Sequence, residues 1–330
     1  MRMTLLLSIA IPLSLAANEP AMKWADPSRS GVMFAKDPAV VRFGGRYLMY
    51  YSMPPSTDPA APPGWAVGIA ESRNLVAWKK VSELLPAQSV DAKGLAAPEA
   101  IVLKGRVHLF YQTYGNGAKD AICHAVSDDG LTFTRDDSNP VFHPTGAWTA
   151  GRAIDAEVHP VGDQLFLWVA TRDPELKTQM LAVASAPLDS DYSRTTWTQR
   201  HDGPVLKPEL FWERKCIEAP SVLKRGDVYW MFYAGGYNNE PQQIGVATSR
   251  DGIAWTRWSD QPLLPNGAPG EWNSSESGHP GIFEDDDGRT YLYYQGNNDK
   301  GKTWYLSAVE LGWNDKGPFV KKDSDKFPVR

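Results

Sequence analysis

The chain has 330 residues, with 34 Lys and Arg against 39 Asp and Glu and a formal charge of -5. Hydrophobic residues at 42% and charged residues at 22% exclude disorder, collagen and a multispan membrane protein, and the acidic balance excludes a general nucleic-acid binder. The 13 Trp and 13 Tyr suit strands and offer flat apolar faces of the kind sugars stack on.

Residues 1–16 read as a signal peptide. Arg2 supplies the positive start, and Leu5 to Leu15 is an apolar run too short to span a bilayer. Ser14-Leu15-Ala16 offers the small residues that a signal peptidase reads. The expected location is secreted or periplasmic, with residues 17–330 as the mature domain. No other segment is apolar enough to span a membrane. The two cysteines, Cys123 and Cys216, fall in different repeats and are expected to be buried thiols, not a disulfide.

From residue 37 onward one unit recurs. It begins at Asp37-Pro-Ala-Val-Val, again at Pro98-Glu-Ala-Ile-Val, at Asp155-Ala-Glu-Val-His, at Glu218-Ala-Pro-Ser-Val and at His279-Pro-Gly-Ile-Phe. Each copy runs through a turn into an aromatic-rich segment such as Tyr47-Leu-Met-Tyr-Tyr, which reads as a hairpin. A third strand, a turn and a fourth strand carrying an aromatic follow, as in Gly245-Val-Ala-Thr-Ser-Arg-Asp-Gly to Trp255; the fifth copy is shortened. Five units of four strands predict an all-β chain: a single five-bladed β-propeller around a central channel, with blades starting near 37, 99, 155, 218 and 279. Residues 18–36 and 314–330 are expected to wrap the outside or help close the ring. The acidic run Glu284 to Asp287 reads as a hairpin turn in preference to a calcium loop. Ser127-Asp-Asp-Gly and Ser249-Arg-Asp-Gly read as structural turns.

In a propeller the first strand of each blade lines the axis. Asp37, Glu99, Asp155, Glu218 and His279 are therefore expected at five equivalent positions around one mouth of the channel. Clustered carboxylates suit glycosidic bond hydrolysis, in which one group stays protonated to donate to the leaving oxygen and another is ionised to activate water or attack the sugar. Arg152 stands close to Asp155 in sequence and is either a site residue or its ion-pair partner. Trp65, Trp148 and Trp212 sit in loops from which they could stack on a sugar or pack between blades.

On Asp37-Pro38, Ala97-Pro98-Glu99, Ile154-Asp155, Ile217-Glu218-Ala219-Pro220 and Gly278-His279 the chain resembles the glycoside hydrolases of family 43, five-bladed propeller glycosidases, over all five blades. The resemblance implies Asp37 as general base and Glu218 as general acid. It implies Asp155 as the carboxylate that tunes the acid and orients the sugar, and inversion at the anomeric carbon. Glu99, Arg152, His279, Trp65 and Trp148 are then expected to contact substrate. His279 resembles a histidine that in several relatives lies near an ion, often calcium; no organic cofactor is implied. The expected partner is an oligosaccharide or polysaccharide of plant or algal origin, an α-L-arabinofuranoside or β-D-xyloside first, cleaved from an end. Oligomeric state is left open.

Three other readings stand beside this one. Glu276-Ser277-Gly278-His279-Pro280 also resembles a sister family acting on the 3,6-anhydro-L-galactosides of agar, with the histidine as acid. A carbohydrate-binding propeller without turnover is the non-enzyme reading. A phosphorolytic propeller would need a basic cluster near the carboxylates. A retaining fructosidase is disfavoured, because Lys36-Asp37-Pro38-Ala39 and Glu218-Ala219 stand where that family has Asn-Asp-Pro-Asn and Glu-Cys.

Overall fold

The computed structural model describes residues 22–87 and 89–321; the expected signal peptide lies outside them. Twenty strands form five antiparallel four-stranded sheets, each built from one contiguous stretch of chain. The first strands are Lys36–Phe43, Leu95–Leu103, Ile154–Val161, Ile217–Arg225 and Glu276–Glu284. Each packs on the next, and the fifth packs on the first, so they form a closed ring around the axis. The fold is the expected five-bladed propeller. Only short 3-10 turns interrupt the strands among the described residues.

The second strands explain the aromatic runs. In Arg46–Met53, Leu48 and Tyr50 enter an apolar cluster shared with the second blade, while Met49 and Tyr51 enter one shared with the fifth. Alternate side chains of a strand point to opposite faces, and in a propeller both faces are covered. The second strand of every blade repeats this, so five apolar clusters lie between neighbouring blades. Both cysteines are buried free thiols, as expected.

The turns between third and fourth strands satisfy themselves. Ser127 Oγ accepts from Gly130 N–H (2.8 Å), and Asp129 Oδ1 accepts from Leu131 and Thr132 N–H. Ser249 and Asp251 do the same in blade four. The carbonyl of Gly130 then accepts from Tyr50 O–H (2.9 Å), and that of Gly252 from Trp168 Nε1–H (2.8 Å), so each turn ties its blade to the preceding one. Gly130 has φ +73, and a Cβ there would lie 2.4 Å from Leu48 Cδ1, so the motif needs glycine twice over. The acidic run is a hairpin turn, with Gly288 N–H on Asp285 C=O (2.8 Å) and Asp285 Oδ2 accepting from Tyr47 O–H (2.8 Å).

One expectation needs correction. The fifth blade is not shortened: its third strand is Tyr305–Asn314, and Gly317–Val320, expected to lie outside the blade, is its fourth. Residues 22–35 help close the ring, one of the two roles expected of that segment. Residues 22–35 lie against blade five, with Trp24 and Leu306 exchanging backbone hydrogen bonds (2.9 and 2.8 Å), before the chain enters blade one.

Candidate active site

Each first strand carries a bulge at the same height, where its register with the second strand slips. At each bulge a non-glycine residue is left-handed: Asp37 (φ 56), Ala97 (φ 44), Asp155 (φ 51), Ala219 (φ 49) and His279 (φ 46). Five such residues in one register mark a constraint, because this region is costly for L-residues. The bulges correct the alignment read from sequence. Asp37, Asp155 and His279 are equivalent, but Glu218 stands one position earlier, level with Lys36, and Glu99 two positions later than Ala97, level with Glu157.

Side chains from neighbouring blades hold the bulges. Asp37 N–H donates to Gln295 Oε1 (3.2 Å), Ala97 N–H to Ser52 Oγ (2.7 Å), Asp155 N–H to Gln112 Oε1 (2.8 Å) and His279 N–H to Gln242 Oε1 (3.1 Å). The bulge of one blade is thus clamped by its predecessor in the ring, and the site is as rigid as the blade interfaces.

The bulges rim a pocket of about 170 Å³, the volume of roughly six waters. Lys36, Asp37, Trp65, Arg152, Asp155, Arg172, Gln179, Glu218, Tyr237 and His279 all line it. His279 Nδ1 lies 3.1 Å from Asp37 Oδ1, and Lys36 Nζ lies 4.0 Å from the same oxygen. Glu218 is held on both oxygens. Oε1 accepts from Gln242 Nε2 (2.6 Å) and Oε2 from Gln179 Nε2. Neither amide can turn round, because Gln242 Oε1 accepts from His279 N–H and Gln179 Oε1 from Arg172 Nε–H (2.9 Å), and both of those groups only donate.

Environment divides the carboxyls. Burial alone would raise Asp37, but His279, Lys36, Ser52 and the Ala97 amide outweigh it and hold Asp37 below its ordinary value. Asp155 goes the other way: burial, then the charges of Glu218 and Asp37, push it well above its ordinary value, against a smaller opposing effect of Arg152 and Lys36. One carboxyl is thus pushed towards its ionised form and a neighbour towards its protonated form, the kind of division that acid–base work needs.

Of the residues expected from sequence, Asp37, Asp155, Glu218, Arg152, His279 and Trp65 meet in this pocket; Glu99 and Trp148 are not among its lining residues. Trp148 packs against the apolar cluster between blades two and three. Trp212 is covered by blade packing: it stacks on Tyr233 at 5.9 Å and donates Nε1–H to Asp260 C=O. Glu99 lies beside Glu157, whose Oε1 accepts from Val222 N–H (2.9 Å) across the blade boundary. Lys36, Arg172, Gln112, Gln179, Gln242, Gln295 and Glu276 escape a sequence reading. Glu276 is fully buried, accepts from Asn239 N–H (2.6 Å) and Gln295 Nε2, and is pushed up by burial to about 7. His279 faces Asp37 across the pocket. Its Nδ1 is taken by Asp37, and among the described residues no three His, Cys, Asp or Glu side chains converge as ligands.

Burial pushes Glu99 up to about 8, with only its own Ala100 amide opposing, and Glu157 up as well, by burial and then by Glu99. Between an ordinary glutamate value of about 4.3 and that value the native state holds more protons than the unfolded chain, so stability falls as pH rises through this window. The Glu99→Gln variant is expected to show a smaller fall in Tm between pH 5 and pH 8 than the parent. An unchanged fall would show that the pair does not hold its proton in the native state.

The profile of a family described as Glycosyl hydrolases family 43 matches residues 31–317. A curated relative, the Beta-1,2-mannobiose phosphorylase of Thermoanaerobacter sp., is 28% identical over 134 residues, 36% of this chain and 42% of that protein, so the match spans less than half of that relative. A thermostable family-43 glycoside hydrolase of known structure superposes with a TM-score of 0.69 at 22% identity, over 92% of this chain and 97% of the other. An alpha-L-arabinofuranosidase from Lactobacillus brevis gives 0.67 at 18% identity, over 92% and 95%. At these identities the two structures share the fold.

Proposed function

The chain belongs to the glycosyl hydrolases of family 43, and from that premise we propose that it is an inverting glycoside hydrolase that removes one sugar from the end of a plant or algal oligosaccharide. The observation that carries the reading is the pocket in which Asp37 and Asp155 are driven apart in proton affinity beside Glu218. In this mechanism a water lies against Asp37, which takes its proton as the oxygen attacks the anomeric carbon. Glu218 gives a proton to the departing glycosidic oxygen. The fixed amides of Gln179 and Gln242 each occupy one acceptor position on Glu218, so the transferred proton uses a remaining lone pair. Asp155 stands beside the acid in the same pocket and positions the sugar. Carboxylates and water suffice for the chemistry.

A pocket with room for about one sugar ring favours action at a chain end, and Trp65, flanked by Phe34 (5.4 Å) and Tyr114 (5.2 Å), offers it an aromatic wall. An α-L-arabinofuranoside or β-D-xyloside heads the substrate panel. Proton NMR of the fresh product is expected to show the inverted anomer; a retained anomer would replace the base at Asp37 by a nucleophile, and no release from any glycoside would leave a binding propeller.

The pH profile tests the division of labour. Activity needs Asp37 ionised, so the acid limb of log(kcat/KM) is expected below pH ~4, the ordinary carboxylate range. The basic limb marks loss of the transferred proton. Burial and the charge of Glu218 push Asp155 up, so the two carboxyls compete for ionisation, and Asp155→Asn is expected to move that limb to lower pH. A limb that stays put would sink the tuning role of Asp155.

A further inference from the structure

Three fixed cations, Lys36, Arg152 and Arg172, line the same pocket as the three carboxylates. They are not equally engaged. Lys36 faces Asp37 and lies 4.5 Å above the Trp304 ring; burial disfavours its charge, but Asp37 and then Glu276, Glu218 and Asp155 outweigh it and favour the protonated form. The two arginines both belong to blade three: Arg152 just precedes its first strand, Arg172 ends its second, and Ala150 N–H donates to Arg172 C=O (2.9 Å). Arg152 reaches Asp120 only with Nη2, at 3.5 Å, and its buried Nε–H has no hydrogen-bond partner. Arg172 spends Nε–H on Gln179 and lies 5.2 Å from the Tyr237 ring centroid. Among the described residues its terminal nitrogens meet no carboxylate.

A buried N–H without an acceptor, such as Arg152 Nε–H, is costly, and such donors are found where a ligand supplies what the protein does not. Planar N–H forks match carboxylate, sulfate and phosphate oxygens two at a time. We propose that Arg152 and Arg172 form an oxyanion subsite on the blade-three wall of the pocket, which takes either an acidic substituent of the sugar, such as a uronate carboxylate, or a free inorganic oxyanion bound beside it. The inference rests on the glycosidase reading for the sugar, but its chemistry is that of the two arginines. Glu218 does not neutralise Arg172 directly, because Gln179 stands between them. The subsite and the acid are thereby coupled through one amide.

The test is a binding measurement, separate from turnover. D-glucuronate, inorganic phosphate and neutral D-xylose would be titrated into the whole protein in 0.15 M NaCl, with tryptophan fluorescence or calorimetry as the readout. At least one oxyanion is expected to bind tenfold or more tightly than xylose. Arg172→Lys, which keeps the charge and loses the fork, and Arg152→Gln are each expected to weaken it by roughly ten- to a hundredfold. Preference for glucuronate assigns the subsite to the substrate, and preference for phosphate assigns it to a separate anion. Xylose binding as tightly as both anions, or anion binding indifferent to both substitutions, would overturn the proposal. If either variant fails to fold, the parent's preference for an oxyanion over xylose decides alone. Hydrolysis of neutral aryl glycosides without any oxyanion preference removes this inference and leaves the glycosidase reading standing. Oxyanion binding without hydrolysis of any glycoside does the reverse.

Discussion

Glu218→Gln is expected to lower kcat on a glycoside with a poor leaving group by roughly a hundredfold to ten-thousandfold, the usual worth of a positioned general acid. On an aryl glycoside with a strongly acidic phenol the loss is expected to be far smaller, because that leaving group departs without a proton. The structure adds a qualification to the choice of Gln. Glu218 accepts from two amide N–H groups whose orientations are fixed by Arg172 Nε–H and His279 N–H. A Gln at 218 must turn its own NH2 towards one of these donors, so a stability loss of about 1–3 kcal/mol accompanies the catalytic one. Thermal melts therefore belong beside the kinetics, and the contrast between the two leaving groups is the diagnostic readout. Equal losses on both substrates would assign Glu218 a positioning role and move the acid elsewhere, with His279 the next candidate.

Asp37→Asn is expected to lose activity by a similar roughly hundred- to ten-thousandfold, but with no relief from a better leaving group, since activating water is required in either case. Azide, which attacks without needing a base, is expected to restore part of the rate and to give a glycosyl azide of inverted configuration. The substitution also removes the anion facing His279 Nδ1 at 3.1 Å and Lys36 Nζ at 4.0 Å. Burial disfavours the Lys36 charge, and with Asp37 gone Glu276, Glu218 and Asp155 remain to oppose it, so a thermal melt of the variant belongs beside its kinetics. Relief by the acidic phenol instead of azide would exchange the roles of Asp37 and Glu218.

Much of this architecture is visible in the chain itself. Strands covered on both faces, such as Tyr47-Leu48-Met49-Tyr50-Tyr51, cannot alternate with polar residues, and the turn motifs at Ser127 and Ser249 recur because their side chains cap their own backbone. The carboxylates of the pocket were legible for a related reason: an acidic residue at the start of an axial strand has nowhere to go but the channel.

The register within that strand was harder to read. Aligning Glu99 and Glu218 with Asp37 follows charge, whereas the bulge follows backbone. The residue after the left-handed position is Pro38, Pro98, Pro220 or Pro280 in four blades, and that proline, not the acid, marks equivalence. Read that way, Glu99 drops two positions below the bulge and pairs with Glu157, outside the residues that line the pocket.

Blade count, strand order and the chemical class of the site are legible along the chain, because repetition and two-sided burial are local properties that recur from copy to copy. Which groups act on one another follows from how the blades come together in space. Gln179 fixes Glu218 from 39 residues away and Gln295 holds Asp37 from 258 away. Arg152 and Arg172 face one cavity with donors to spare. The contacts of Gln179 and Gln295 are made between neighbouring blades, where closing the ring brings together residues that carry no common pattern along the chain.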